Sequence, residues 1–377
     1  MKVITGLTWD HPRGTLPLKA WAKEDERISI EWSVQKLEGF ESHPIDELAA
    51  RYDLLVVDNP GIGEAVEKGC IRALENFLSP GELAFLQGST IGNSYSSYQY
   101  KGKTWAIPID AASQVCAVVE HAVPRIPDTW DDVMHLASSA PGSVALSLGG
   151  PHALLTFYSI CLSLGAKLFS APDSVVEPGA GLEALNIMQT VYGHQNRQLT
   201  DLNPIALLNE MSQRTFALCP AIFGYVNYSS AVAAQRVSFV DIAHAGDPEL
   251  RGAVLGGTGI ALSTNCDPSP ELIAHLMDYV SESVQRSLVV TSGGQPSNSN
   301  AWLDTEANVL THGFFRNTFG TVSSAFVRPK YAGYIDQQNA ASAKIREGLI
   351  GRRDIRNIYA ELNNAFTPGG TAKHGTR

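Results

Sequence analysis

Between two aspartates, Asp53-Leu-Leu-Val-Val-Asp58 carries four consecutive apolar residues with no polar face. A run this short, without alternation, reads as a strand covered on both sides, the usual state of a parallel strand packed between helices. Residues 45–51 before it and 63–68 after it have helical spacing. The same rhythm starts at the N-terminus, where a strand over 3–7 leads to a helix from Leu16 and a second strand over 28–32. Alternation of this kind builds βαβ units and a mostly parallel sheet, so the expected class is α/β. A chain of 377 residues exceeds what one core supports, and two lobes are expected. Their boundary falls near 109–114, after Thr104-Trp-Ala-Ile-Pro-Ile-Asp110, where the character of the chain changes.

In open α/β sheets ligands bind beyond the carboxyl ends of the strands. The first strand ends in Trp9, Asp10 and His11, with Arg13 two residues on; Pro12 suits the first turn of the helix that follows. The run 53–58 ends in Asp58 and Asn59. Asp110 and Gln114 stand at the expected lobe boundary, and the apolar segment 216–223 runs into Tyr225, Asn227 and Tyr228. Gly256, Gly257 and Thr258 form a glycine-rich turn feeding a strand, and Trp302 follows an Asn-rich loop. An isolated Trp or Tyr is more often a core residue; the shared position at strand ends is what marks these as a candidate site.

Other chemistries find little support. Apolar content of 44% and charged content of 18% describe a globular chain, and a net charge of −10 disfavours nucleic acid and anionic membranes. No apolar run approaches the ~20 residues needed to span a bilayer. The N-terminal residues read as a strand with an early Trp-Asp-His, not as a secretory leader. The five cysteines, Cys70, Cys116, Cys161, Cys219 and Cys266, lack metal or disulfide spacing, so no metal or other cofactor is expected. Gly256-Gly257-Thr258-Gly259 has no phosphate-loop lysine and precedes a strand where a dinucleotide motif precedes a helix. No Gly-x-Ser-x-Gly or His-Glu-x-x-His occurs, and His152, His194, His244 and His312 fit loop or surface roles. Asp131 and Asp132 follow Thr129 as the first turn of a capped helix, which explains them without catalysis.

In order and character these segments resemble the family 1 extracellular solute-binding proteins, the carbohydrate-type receptors of ABC importers. The marks are Asp53–Asp58 followed by 70–78, similar to the family's Gly-x-Leu-x-Pro-Leu, and Tyr100-Lys-Gly-Lys-Thr-Trp-Ala-Ile-Pro108, similar to its Tyr-x-Gly-Lys-x-Tyr-Ala-x-Pro. Pro127-Asp-Thr-Trp-Asp-Asp-Val133, the segment 255–263 and Gly293-Gly294-Gln295-Pro296 continue the series over nearly the whole chain. The resemblance implies a two-lobed fold of the type II periplasmic-binding-protein kind, each lobe a mostly parallel sheet flanked by helices, with the ligand in the cleft. Residues 1–110 with about 260–305 would form the first lobe, and about 111–257 with about 310–377 the second. Hinge strands would lie near 109–114, 255–260 and 304–312. It further implies a monomer without enzymatic activity that hands a small solute to ABC permease subunits, in the periplasm or at the cell surface. Because no leader is read in these residues, a cytoplasmic ligand sensor on the same fold stays open, as does, more remotely, a two-lobed transferase or hydrolase.

Sugars present apolar CH faces rimmed by hydroxyls, which suits aromatic platforms with acids, amides and Arg around them. Trp9, Tyr225, Tyr228 and Trp302 are the candidate platforms. Asp10, Arg13, Asp58, Asn59, Asp110, Gln114 and Asn227 are the candidate hydrogen-bonding groups, with backbone amides at Gly256, Gly257 and Thr258. Arg13 and His11 point to a sugar acid or small carboxylate, since a guanidinium pairs well with carboxylates. Asp10 and Asp58 could instead neutralise Arg13 and leave a neutral polyol site.

Overall fold

The computed structural model describes residues 3–36, 43–171, 174–230, 233 and 235–366. Its strands, in chain order, are β1 (Val3–Trp9), β2 (Ser29–Gln35), β3 (Leu54–Asp58), β4 (Gln99–Tyr100), β5 (Lys103–Thr104), β6 (Ile107–Val118), β7 (Leu218–Phe223), β8 (Ser238–Val240) and β9 (Leu255–Leu262). The short pair β4–β5 stands apart. The others form one sheet in the order β2-β1-β3-β9-β6-β7, with β8 also on β6.

The parallel expectation holds for β1, which pairs with both β2 and β3. Beyond β3 the sheet is antiparallel: β3 on β9, β9 on β6, and β6 on β7 and β8. A mostly parallel sheet is therefore replaced by a mixed one. The apolar signature of β3 reports burial on both faces, which an antiparallel neighbour supplies equally well.

The expected boundary near 109–114 falls inside the single twelve-residue β6, which runs through it without a break and is buried throughout. Its first half pairs with β9, Asp110 opposite Thr258 and Ala112 opposite Gly256, and its second half pairs with β7 and β8. Pro108 has no N–H to give the ladder, and the register against β9 shifts between Pro108 and Asp110. The apolar-rich segment 143–148 makes only one bridge, Val144 to Leu218. The Leu146 amide donates instead to Gln195 Oε1 at 2.8 Å, so a side chain takes the place of the next strand.

Helix positions follow their local signals. Thr129 caps the helix Trp130–Ser139 through a capping box with Asp132, a reciprocal pair of bonds that satisfies the exposed first-turn amides. His152–Ser163, apolar on nearly every side, is buried between Pro178–His194 and Tyr334–Ile350, and Ile355–Asn364 closes that layer. One core cluster gathers around β1, β3, β6 and β9; a second unites these helices with Cys116 and Val118 of β6. All five cysteines are free and buried. No helix among the described residues is long and apolar enough to cross a membrane. Residues 367–377, assigned above to the second lobe, lie outside the described residues.

Candidate functional site

A cavity of about 410 Å³ opens where the ends of several strands meet. That volume lies within the roughly 300–1,000 Å³ typical of small-molecule sites. From the expected residues, Trp9, Arg13, Asp58, Tyr225, Gly256, Gly257 and Thr258 line it. Each comes from, or just beyond, β1, β3, β7 or β9, and β9 brings its three side by side against β3 and β6. Gly257 has φ +106°, and a β-carbon there would run into the Asp110 carbonyl, so a side chain would be both strained and crowded.

Arg13 is the organising group of this wall. The Asp110 carboxylate accepts from its Nε at 2.8 Å and from its Nη2 at 2.5 Å, and the Gly224 carbonyl accepts from Nη1 at 3.1 Å. Its guanidinium carbon stands 5.7 Å from the Trp9 ring centre and 5.0 Å from that of Tyr225, within cation–π range. Burial works against the charge, but the Asp110 carboxylate outweighs it and the Arg13 pKa is raised. His11 caps the helix Pro12–Glu24, accepting from the Arg13 amide, and stacks on Trp9 at 5.2 Å. Burial, then the nearby Arg13 charge, push its pKa down to about 4. Behind Asp58 stands Arg328, 1% exposed, which donates to Asp58 Oδ2 at 2.9 Å and to Gln338 Oε1 at 3.0 Å.

Eight expected residues do not line this cavity. Asp10 is exposed on the β2 side, its amide donating to the Gln35 carbonyl. His11 and Asp110 sit behind the wall, holding Trp9 and Arg13. Asn59 turns back to donate to Asp58 Oδ1 at 3.2 Å, and Gln114 is buried on β6, accepting from Ser159 Oγ at 2.6 Å. Asn227 donates to the Gly293 carbonyl and Tyr228 to the Ile205 carbonyl and Asn209. Trp302 has no exposed surface, donates to the Pro296 carbonyl at 2.7 Å and packs against Phe314 and Phe315. For these residues the strand-end argument names a neighbourhood without telling which way a side chain turns.

The rest of the lining comes from Ala112, Gly149, Gly150, Pro151, His152, Asp201, Asn203, Pro204 and Phe223. Gly149-Gly150-Pro151-His152 reads in sequence as a break before a helix, and that helix start is what carries His152 into the cavity. Nothing local marks Asp201, Asn203 or Arg328. His152 packs edge-on against Phe223 at 5.8 Å, and its Nδ1 is buried with no protein partner. Burial, with Arg328 adding to it, lowers its pKa from 6.5 to about 3. The expectation of a loop or surface role for this histidine is thereby corrected.

A folded-state pKa below the unfolded one means that the unfolded chain takes up the proton first. The stability held by neutral His152 is therefore complete above pH 6.5 and is lost as pH falls from 6.5 toward about 3. The limiting slope is about 1.4 kcal/mol per pH unit. Urea midpoints at about pH 7 and about pH 5 are expected to fall further apart for the native protein than for His152→Phe. Equal differences in the two proteins would contradict a buried neutral imidazole.

Among the described residues no cluster of three His, Cys, Asp or Glu is arranged to hold a metal ion. No protein-family model matches the chain, and no curated protein matches it either. Solved structures do, and the class they define is the two-lobed fold of the ABC transporter solute-binding proteins. Maltose-bound MalE3 of T. maritima superposes with a TM-score of 0.80 at 15% identity, covering 97% of this chain and 98% of that one. A solute-binding protein of Thermotoga lettingae bound with α-D-tagatose gives 0.78 at 16%, covering 97% and 100%. The GacH receptor of Streptomyces glaucescens, solved unliganded and with acarbose, gives 0.79 at 12%, covering 99% of both chains. At such identities the likeness is one of fold.

Proposed function

We propose that this protein is the substrate-binding component of an ABC transporter, capturing a sugar, polyol or sugar acid between its lobes without altering it. The observation that carries the reading is the cavity wall. Trp9, Tyr225 and Phe223 offer ring surface beside Arg13, Asp58 and the β9 backbone at Gly256–Thr258. Rings meet the CH faces of a sugar, and the polar groups bond its hydroxyls in pairs. The neighbours in fold include proteins bound with maltose, tagatose and ribitol, which supports the same class of solute.

In this reading β6 and β9 serve as the hinge near 109–114 and 255–260, and the lobes close on the ligand. The third hinge strand expected over 304–312 is instead the short helix Thr305–Leu310, capped by Asp304. The permease subunits would receive it at the cell surface or in the periplasm.

A thermal-shift screen over mono- and oligosaccharides, polyols and sugar acids tests the proposal. A ligand that binds only the folded state, at ~100 times its Kd, adds about 2.7 kcal/mol of stability. Recovery of the ligand unchanged after incubation supports a binding protein, whereas its conversion would replace this reading with an enzymatic one. With the hit in hand, Trp9→Leu is expected to raise Kd by at least about tenfold, the loss of a central aromatic anchor. Asp10→Ala, outside the cavity, is expected to leave Kd unchanged. The reverse pattern, measured by titration calorimetry, would place the site elsewhere.

A further inference from the structure

Resting on the solute-binding reading, we infer that the ligand is uncharged: the cavity takes a neutral polyhydroxyl compound and discriminates against both sugar acids and amino sugars. Sequence leaves this open, because a free Arg13 would invite a carboxylate. In the structure Arg13 is not free. Both oxygens of Asp110 are committed to it, at 2.8 and 2.5 Å.

The same balance repeats around the cavity. Arg328 pairs with Asp58 at 2.9 Å, and Arg346 stands 3.6 Å from Asp201 at the rim. Three guanidiniums thus face three carboxylates, and no lysine belongs to the lining. The two histidines at the site, His152 and His11, have pKa values lowered to about 3 and about 4, so neither adds a charge near neutrality.

An entering carboxylate that reached the remaining N–H groups of Arg13 would be desolvated beside a guanidinium whose charge Asp110 already balances, and would have to displace Asp110 or Asp58 to gain an ion pair of its own. It would also meet Asp58 and Asp201 as like charges on the lining. An ammonium group faces the converse problem: Arg13 is on the wall, and Asp58 is already shared with Arg328 and with the Asn59 amide at 2.7 Å. A hydroxyl avoids both penalties. It can donate to a remaining carboxylate lone pair and accept from the N–H groups that Arg13 keeps beyond its three bonds, or from His152, whose Nδ1 has no protein partner. Paired ions thereby act as fixed dipoles that bond hydroxyls without selecting for net charge.

The experiment is calorimetric titration of the full chain with matched triples: a neutral sugar, its uronic acid and its amino sugar, for glucose, galactose and the best hit of the thermal screen. The expected result is measurable binding of a neutral member, with its acid and amine at least about tenfold weaker, a 1.4 kcal/mol difference. An acid or amine that binds as tightly as its neutral counterpart overturns the inference while the solute-binding reading survives. No binding by any member removes that reading, and the inference falls with it. Asp58→Asn then tests the cause, since it releases Arg328 from its carboxylate. The ratio of acid to neutral Kd should drop by about tenfold, and an unchanged ratio counts against charge pairing as the basis of selectivity. If that variant is unfolded at the assay temperature, Asp201→Asn, whose side chain is 83% exposed, is expected to shift the ratio in the same direction.

Discussion

Asp110→Ala is expected to destabilise the protein by about 3–5 kcal/mol, because it strands the Arg13 guanidinium inside the fold with its charge uncompensated. The Arg13 side chain is 5% exposed and would keep only the Gly224 carbonyl as a bonded partner. Most of the effect comes from the charge left behind, since taking a buried ion pair out as a whole is often nearly neutral. Arg13→Met/Asp110→Leu should therefore recover most of the lost stability, though not ligand binding, in chemical denaturation monitored by Trp fluorescence. A loss below about 1 kcal/mol in the single variant would mean that water reaches the pair and that Arg13 is not locked in the wall.

Gly63→Ala sets two local rules against each other. The residue lies inside the helix Ile62–Glu67, where alanine is intrinsically better by about 1 kcal/mol. Yet a β-carbon there would fall within the van der Waals envelope of the Lys330 backbone carbonyl, which has no flexible end to move aside. Lys330 follows Arg328 by two residues, so pushing this segment away also strains the Arg328–Asp58 pair beneath the cavity. The expected net effect is a loss of about 3 kcal/mol, at the upper end for overpacking, together with weaker ligand binding. Gly61→Ala is the control: nothing lies within 4 Å of a β-carbon there, and its urea midpoint should match the native protein. Stabilisation by Gly63→Ala would show that propensity, not the close approach, governs this helix.

Much of the site's floor was legible in sequence because a strand end is a local event. The apolar run closing at Asp58 and the strand closing at Trp9 each state where a chain stops pairing, and both residues line the cavity. Tyr225 and the Gly256–Thr258 turn follow the same logic. Trp302 had the same kind of local context, an aromatic after a polar loop, yet it is enclosed by Phe314 and Phe315. An aromatic ring serves a core and a ligand wall equally well, so only its neighbours decide between them. Asp201 and Asn203 carried no local mark, and the helix start that marks His152 does not tell that it faces a cavity, because these residues reach it from the starts of helices whose placement depends on the packing of the helical layer.

The sequence by itself determined the strands over 3–7, 28–32 and 53–58, the capped start of the helix Trp130–Ser139, and a set of strand ends bearing rings and charges. These follow from periodicity and from backbone chemistry within a few residues. Tertiary structure alone decided the direction of β9 and β6 in the sheet and the pairing of charges. Asp110 lies 97 residues from Arg13, and Arg328 lies 270 from Asp58. Whether a guanidinium in a cavity wall is free to hold an anion depends on a carboxylate that close in space and that far in sequence, and local pattern carries no information across such a distance.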